Sequence, residues 1–271
     1  MRRSHLIALT ALAGTVALAG CGHTRHVDER AWTWQGDVGA GHWLNVRNTN
    51  GAVRVEHAPG GRIEVTATKK WRGRRPEEVR FAATREGDDV TVCALRGSAT
   101  ECDADSPRGE RRAWWRRMFF PRSGVSVEFV VRVPDGVKVN AGTVNGAITI
   151  EGVTSDVVAE TVNGSIKART THGALRAETV NGSITATIDS LPATGDITLE
   201  TVNGSVVAEL PQHLDARLEM STTNGRLNSE YPLTMSGKFS PKELSAVIGN
   251  GGRLLKLETV NGSATLRKRG G

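Results

Sequence analysis

ETVNGSIKARTTHGALRAETVNGSITAT, residues 160–187, carries Thr-Val-Asn-Gly twice, 18 residues apart. Aligning the whole chain on Asn-Gly gives TVNGAITIE at 143–151, TVNGSIKAR at 161–169, TVNGSITAT at 179–187, TVNGSVVAE at 201–209, STTNGRLNS at 221–229 and TVNGSATLR at 259–267. The successive Asn spacings are 18, 18, 22, 21 and 37 residues. GVTSDVVAE at 152–160 and TTHGALRAE at 170–178 are weaker copies of the same nine-residue unit, so one coil is about two units. Repetition at this period is the signature of a solenoid, in which each coil buries its apolar face only by stacking on the next.

Nine residues suit one strand and one turn. Asn-Gly is expected to supply the positive φ angles of a tight turn, and the alternation Ser165, Ile166, Lys167, Ala168, Arg169 that follows turns its apolar members inward. Because nine is odd, inward and outward sides exchange at each strand unless bulges or corners reset the parity. With 31 Gly, 38% apolar residues and Val, Ile and Thr dominating the periodic part, the expectation is all-β: a single-chain β-solenoid of about 18–22 residues per coil, its handedness open. An antiparallel hairpin array also uses Asn-Gly turns. The constant flanks, Glu-Thr before and Ser-Ile after, favour equivalent turns stacked in register. Val162, Ile166, Ala168, Leu175, Ala177 and Val180 do not keep the six-residue step of a hexapeptide helix, and the Gly-Gly-x-Gly-x-Asp phrase of calcium-binding rolls is missing. Asn145, Asn163, Asn181, Asn203, Asn224 and Asn261 are then a structural turn ladder.

The amino-terminal segment calls for a membrane. MRRSH is a basic head, LIALTALAGTVALAG is apolar but short for a bilayer span, and Leu18-Ala19-Gly20-Cys21 resembles the bacterial lipobox. That resemblance implies a lipoprotein signal peptide over 1–20, cleavage before Cys21, and acyl chains (palmitate among them) joined there, each buried methylene contributing about 0.8 kcal/mol. Gly22, where Asp would imply inner-membrane retention, points to the outer membrane of a diderm cell. Cys93 and Cys102 are left as an even remainder in an oxidising compartment; a disulfide is expected, two free thiols being the alternative. Residues 21–43 read as a lipid-anchored linker, 44–267 as the solenoid with insertions at about 93–124 and 230–256, and 268–271 as a basic tail.

LNVRNTNGAVRVEHAPGGRIEVTATKKW at 44–71, VEFVVRVPDGVKVNAGTVNGAITIEGV at 127–153 and the Thr-Val-Asn-Gly array together resemble the family of bacterial envelope β-repeat proteins known as "putative adhesins" (DUF4097-like), in a lipoprotein form. The resemblance implies a β-solenoid, export or lipid anchoring, and an adhesin label that rests on fold analogy.

Chemistry is thin in the repeat. Glu160, Glu178, Glu200 and Glu258 share one place before Thr-Val-Asn-Gly, and stacking sets the first three in a file at about 4.8 Å. A catalytic carboxylate pair is one reading; a solvated ladder compensated by Lys167, Arg169 and Arg176 is favoured. His57, His172 and His213 stand apart without ligand spacing, so no metal site is expected, and His172 falls on a turn. GNGGR at 249–253 and APGGR at 58–62 are turn signals rather than phosphate loops. No cofactor is implied.

One stretch departs from the pattern. RGERRAWWRRMFFPR at 108–122 has six Arg and one Glu, net +5, whereas the mature chain as a whole falls from +6 to +4 once Arg2 and Arg3 leave with the signal. Arg111, Arg112, Trp114, Trp115, Arg116 and Arg117 suit a membrane interface or another polyanion such as lipopolysaccharide; the alternative is a cap over the solenoid end. The compartment argues against nucleic acid. The leading expectation is a non-enzymatic cell-envelope lipoprotein, an adhesin or scaffold, whose partners are the membrane through Cys21 and an anionic lipid, lipopolysaccharide or envelope protein. A polysaccharide-acting β-helix enzyme and an envelope-stress sensor are the competing readings.

Overall fold

The computed structural model describes residues 25–27, 31–72, 79–96, 102, 124–190 and 195–269. The chain enters through β1 (Arg25–Val27) and β2 (Trp32–Gly36), then makes a first coil from β3 (Trp43–Arg47) and β4 (Val53–His57). β5 (Ile63–Arg72), β6 (Val79–Glu86), β7 (Asp89–Arg96) and β8 (Val125–Val133) follow. Regular coils run through β9 (Lys138–Gly142) with β10 (Ile148–Val153), β11 (Val157–Asn163) with β12 (Ile166–Thr170), β13 (Leu175–Asn181) with β14 (Ile184–Ile188) and β15 (Ile197–Asn203) with β16 (Val206–Leu210). β17 (Ala216–Asn224) and β18 (Leu227–Ser229), the hairpin β19 (Thr234–Ser240) and β20 (Glu243–Ile248), and the coil β21 (Leu254–Asn261) with β22 (Ala264–Lys268) complete it.

These strands form two 11-stranded sheets, and each coil contributes one parallel strand to each. The architecture is a flat β-solenoid. Coil repeats of 18 residues come from identical division of labour: inward positions run Thr161, Ile166, Thr170, Leu175, Thr179, Ile184, all buried. The step is four across a strand and five across a turn, so the turns themselves reset the parity that a nine-residue unit would otherwise scramble. Among the described parallel coils, the pairing registers carry a bulge between Glu151 and Val153. Val157, Ala159, Ile166 and Ala168 of one coil are essentially inaccessible and sit on Leu175, Ala177, Ile184 and Ala186 of the next. Full burial of each large aliphatic chain contributes roughly 1.5–3 kcal/mol. The Ala rows keep the two sheets close.

Both ends depart from chain order. β3 and β4 lie between the β7/β8 coil and the β9/β10 coil, and β21 and β22 lie between the β15/β16 coil and the β17/β18 coil. The first and last coils are therefore each tucked one place in from the end of the stack. Beyond them, antiparallel strands close the sheets: β5 and then β2 and β1 on one, β6 on the other, and β20 with β19 at the far end. Antiparallel closure ends the parallel ladder without exposing a full coil face.

Three expected boundaries change. The linker expected over 21–43 contains β1 and β2, both paired with β5. Residues 93–96 belong to β7 rather than to an insertion. The interruption at 230–256 is largely a hairpin that continues one sheet.

Candidate functional site

Each letter of Thr-Val-Asn-Gly has one physical task. The Thr is buried, and its hydroxyl donates to the Gly carbonyl of the neighbouring coil: Thr143 to Gly51, Thr161 to Gly146, Thr179 to Gly164, Thr201 to Gly182, Thr259 to Gly204 and Thr222 to Gly262, at 2.8–3.1 Å. The Asn amides form one continuous file, Asn145 donating to Asn50, Asn163 to Asn145, Asn181 to Asn163, Asn203 to Asn181, Asn261 to Asn203 and Asn224 to Asn261 at 2.7–2.9 Å. Asn50, from RNTNGAV, heads this file although the alignment of strong repeats leaves it out. Asn261 precedes Asn224, as the tucked last coil requires. From Asn145 to Asn224 the amides point the same way, because one reversed member would set N–H against N–H.

The Gly answers to contact rather than to torsion. A Cβ at Gly146, Gly164, Gly182, Gly204, Gly225 or Gly262 would lie 1.7–2.1 Å from the carbonyl oxygen of the neighbouring coil's Gly. Of these six, five have negative φ and Gly204, at 158°, is nearly extended, so the positive φ expected of Asn-Gly is not what selects glycine here. Gly51, with φ 116°, and Gly251, with φ 79°, are Asn-Gly turns that do use it. After the Gly, Ser165, Ser183, Ser205 and Ser263 accept the next coil's backbone N–H at 3.1–3.3 Å.

What remains for function is the outward surface. Val180, Val202 and Val260 are 37–40% exposed and form an apolar row beside the amide file. Next to it runs the acidic row, Glu160, Glu178, Glu200 and Glu258, which are direct neighbours in the pairing. Glu258 thus joins the file beside Glu200, one rung more than expected. Lys256 Nζ lies 2.7 Å from both Glu200 Oε1 and Glu258 Oε2, and Arg176 pairs with Glu178. Burial lowers the Lys256 pKa, but hydrogen bonds and charge from Glu200 and Glu258 outweigh it, and the net direction is upward. At the other end of the row Gly142 leaves room for Arg47, whose Nη1 donates to Asn140 Oδ1 at 3.0 Å. Burial pushes the Arg47 pKa down, against the pull of Glu160. The expected partners Lys167 and Arg169 lie instead on β12, in the other sheet; Arg169 pairs with Asp189 at 3.5 Å.

The histidines do not converge. His57 Nε2 is 3.0 Å from Asp135 Oδ1, while His172 and His213 are exposed, His172 beside the turn glycine Gly173. Among the described residues no three His, Cys, Asp or Glu side chains gather to hold a metal ion. Cys93 and Cys102 are joined by a disulfide with a Cα separation of 5.7 Å. Cys21, Arg111, Arg112, Trp114, Trp115, Arg116 and Arg117 lie outside the described residues, as do the signal segment 1–20 and the last two residues of the basic tail.

Stacked parallel coils with shared side-chain ladders define a β-solenoid repeat protein. Residues 135–267 match the model of the Toastrack DUF4097 family. It is similar in fold to a "putative cell adhesion protein" from Clostridium sporogenes, at TM-score 0.50 and 8% identity, covering 89% of this chain and 100% of that one. A "putative adhesin" from Bacteroides fragilis aligns at TM-score 0.30 and 9% identity, covering 89% of this chain and 98% of its own. No curated protein matches the sequence.

Proposed function

We infer that this chain is a non-enzymatic scaffold of the bacterial cell envelope, adhesin-like in presenting a long regular surface, and held at the outer membrane by lipid on Cys21. The observation that carries the inference is the character of the outward faces. Their charges stand in repeated rows that neutralise one another, as Lys256 does for Glu200 and Glu258. An enzyme needs an unlike set of acid, base and electrophile converging on one point; among the described residues the ladders repeat like with like. The name of the Clostridium structure agrees with a role in adhesion, and Leu-Ala-Gly-Cys at 18–21 supports the anchor.

Two experiments test the two halves. Fatty-acid metabolic labelling should mark the wild type and leave Cys21→Ser unmarked; equal labelling removes the anchor. Incubation of the purified protein with envelope polysaccharides should release no new reducing ends over buffer, and release that depends on Glu178 or Glu200 would make it an enzyme.

A further inference from the structure

Five strands bring their ends to one corner of the stack. Arg25 pairs with Arg72, Trp71 with Val125 and Val79 with Arg96. Arg96 Nη2 donates to Val125 O at 2.7 Å, joining the two sheets across the open end. The halves of β5, β6, β7 and β8 nearest this corner carry Lys69, Lys70, Arg80 and Arg96 against the acid Glu128. The opposite halves of β5 to β8 hold Glu64, Glu86 and Asp89 against Arg85 and Arg132, so the excess charge is confined to the corner. Aromatic rings back it: Trp32 stacks on Phe81 at 5.2 Å, and Lys69 Nζ lies 5.0 Å over the same Phe81 ring.

Cys21 stands four residues before Arg25, a reach of at most about 14 Å. A lipid on Cys21 therefore enters its bilayer beside this same corner. We propose that the corner formed by β1, β5, β6, β7 and β8 is a second membrane-docking site, seated on the anionic phospholipid headgroups of the bilayer that holds the lipid of Cys21. This rests on the lipid-anchor reading above. Basic groups at a bilayer surface gain from the negative surface potential, and an acyl anchor paired with a basic patch is held by two independent signals. The first coils then sit at the membrane. The β17/β18 coil stands roughly 34 Å further along the stack, at about 4.8 Å per coil, and the β19–β20 hairpin lies beyond it.

The test uses the full chain carrying Cys21→Ser, sedimented with phosphatidylcholine vesicles with or without phosphatidylglycerol. Binding should require phosphatidylglycerol and fall with added salt. Lys69→Gln with Lys70→Gln and Arg80→Gln should weaken it on the order of 100-fold, at roughly fivefold per charge. Arg217→Gln with Lys242→Gln, at the far end of the stack, should leave it unchanged. Circular dichroism checks folding, and if the triple variant fails to fold, Arg80→Gln alone should cost about fivefold. Unaltered binding in the folded corner variant, binding indifferent to phosphatidylglycerol, or binding to lipopolysaccharide alone would overturn the proposal. Labelling of the wild type separates the two ideas: an unlabelled Cys21 with intact vesicle binding removes the anchor only, and a labelled Cys21 without vesicle binding removes the docking site only.

Discussion

Gly182→Ala puts one methyl group where the stack has no room. The new Cβ would lie 2.1 Å from Gly164 O, and the obstruction is backbone that cannot swing aside. Reaching an ordinary contact requires the two turns to part by more than about 1 Å, and hydrogen bonds weaken steeply beyond their normal length. The bonds that join these turns include Thr179 Oγ1 to Gly164 O at 2.9 Å, Asn181 Nδ2 to Asn163 Oδ1 at 2.9 Å, Gly164 N to Asn181 O at 3.0 Å and Ser183 N to Ser165 Oγ at 3.3 Å. At about 1 kcal/mol each, with a further penalty for leaving the buried Thr179 hydroxyl without an acceptor, the loss is about 3–5 kcal/mol. For a domain of this size that is a fall in melting temperature of roughly 6–20 °C. Gly61→Ala is the control, because its Cβ would meet nothing within 4 Å; the change should stay within about 0.5 kcal/mol. Thermal and urea unfolding followed by circular dichroism would measure both. Equal melting temperatures for the two variants would refute the claim that contact selects the repeat glycine.

Tyr231 is the one tyrosine of the chain, so tyrosinate absorbance reports on it alone. Its hydroxyl donates to Leu210 O and Pro211 O, and burial, then the charge of Glu230, push its pKa up to about 12. The folded protein should titrate near pH 12 and the urea-unfolded chain near 10. Since the folded pKa is the raised one, the stability Tyr231 adds is complete below pH 10 and is lost between 10 and 12; a folded midpoint near 10 would contradict the burial. Cys93→Ser with Cys102→Ser opens a short loop and should cost roughly 2–3 kcal/mol in urea unfolding, and no change would mean the bridge does not form. Lys256→Met should destabilise by an amount that is constant below pH 10.5 and shrinks above it, as the raised pKa of Lys256 is passed; a difference that grew with alkaline pH would reverse the assigned sign.

The repeated coils were legible because every position in the phrase has one task that recurs. Thr faces inward, Asn joins the file, and Ile166, Ile184 and Val206 restart the buried row in adjacent rungs. What the sequence hid follows from the same uniformity. A coil ending in Thr259-Val260-Asn261-Gly262 fits against any other such coil, so nothing in its letters says that it slips between Asn203 and Asn224. Asn50 was obscured because a long excursion separates it from Asn145, its partner in space. Arg176 does pair with Glu178, whereas Lys167 and Arg169 do not reach the acidic row because they point outward from the opposite sheet. The basic corner does not show in the order of residues, since the ends of β5, β6, β7 and β8 that carry Lys69, Lys70, Arg80 and Arg96 come together only through antiparallel closure.

The order of the coils sets how both ends of the stack are built, and a pair of engineered disulfides reads it directly. In a Cys21→Ser background, Val202→Cys is combined either with Val260→Cys or with Thr223→Cys. The pairing of Asn203 with Asn261 and of Asn224 with Asn261 makes Val202 and Val260 adjacent rungs and sets Thr223 one rung beyond. Adjacent rungs are about 4.8 Å apart and can be bridged, whereas two rungs, about 9.6 Å, exceed the roughly 7 Å limit for a disulfide. Mild oxidation followed by mass spectrometry of the digested protein should find a bridge in the Val202→Cys, Val260→Cys variant and none between the introduced thiols of the Val202→Cys, Thr223→Cys variant; the reverse result would mean that the coils stack in chain order and that the last coil is not tucked.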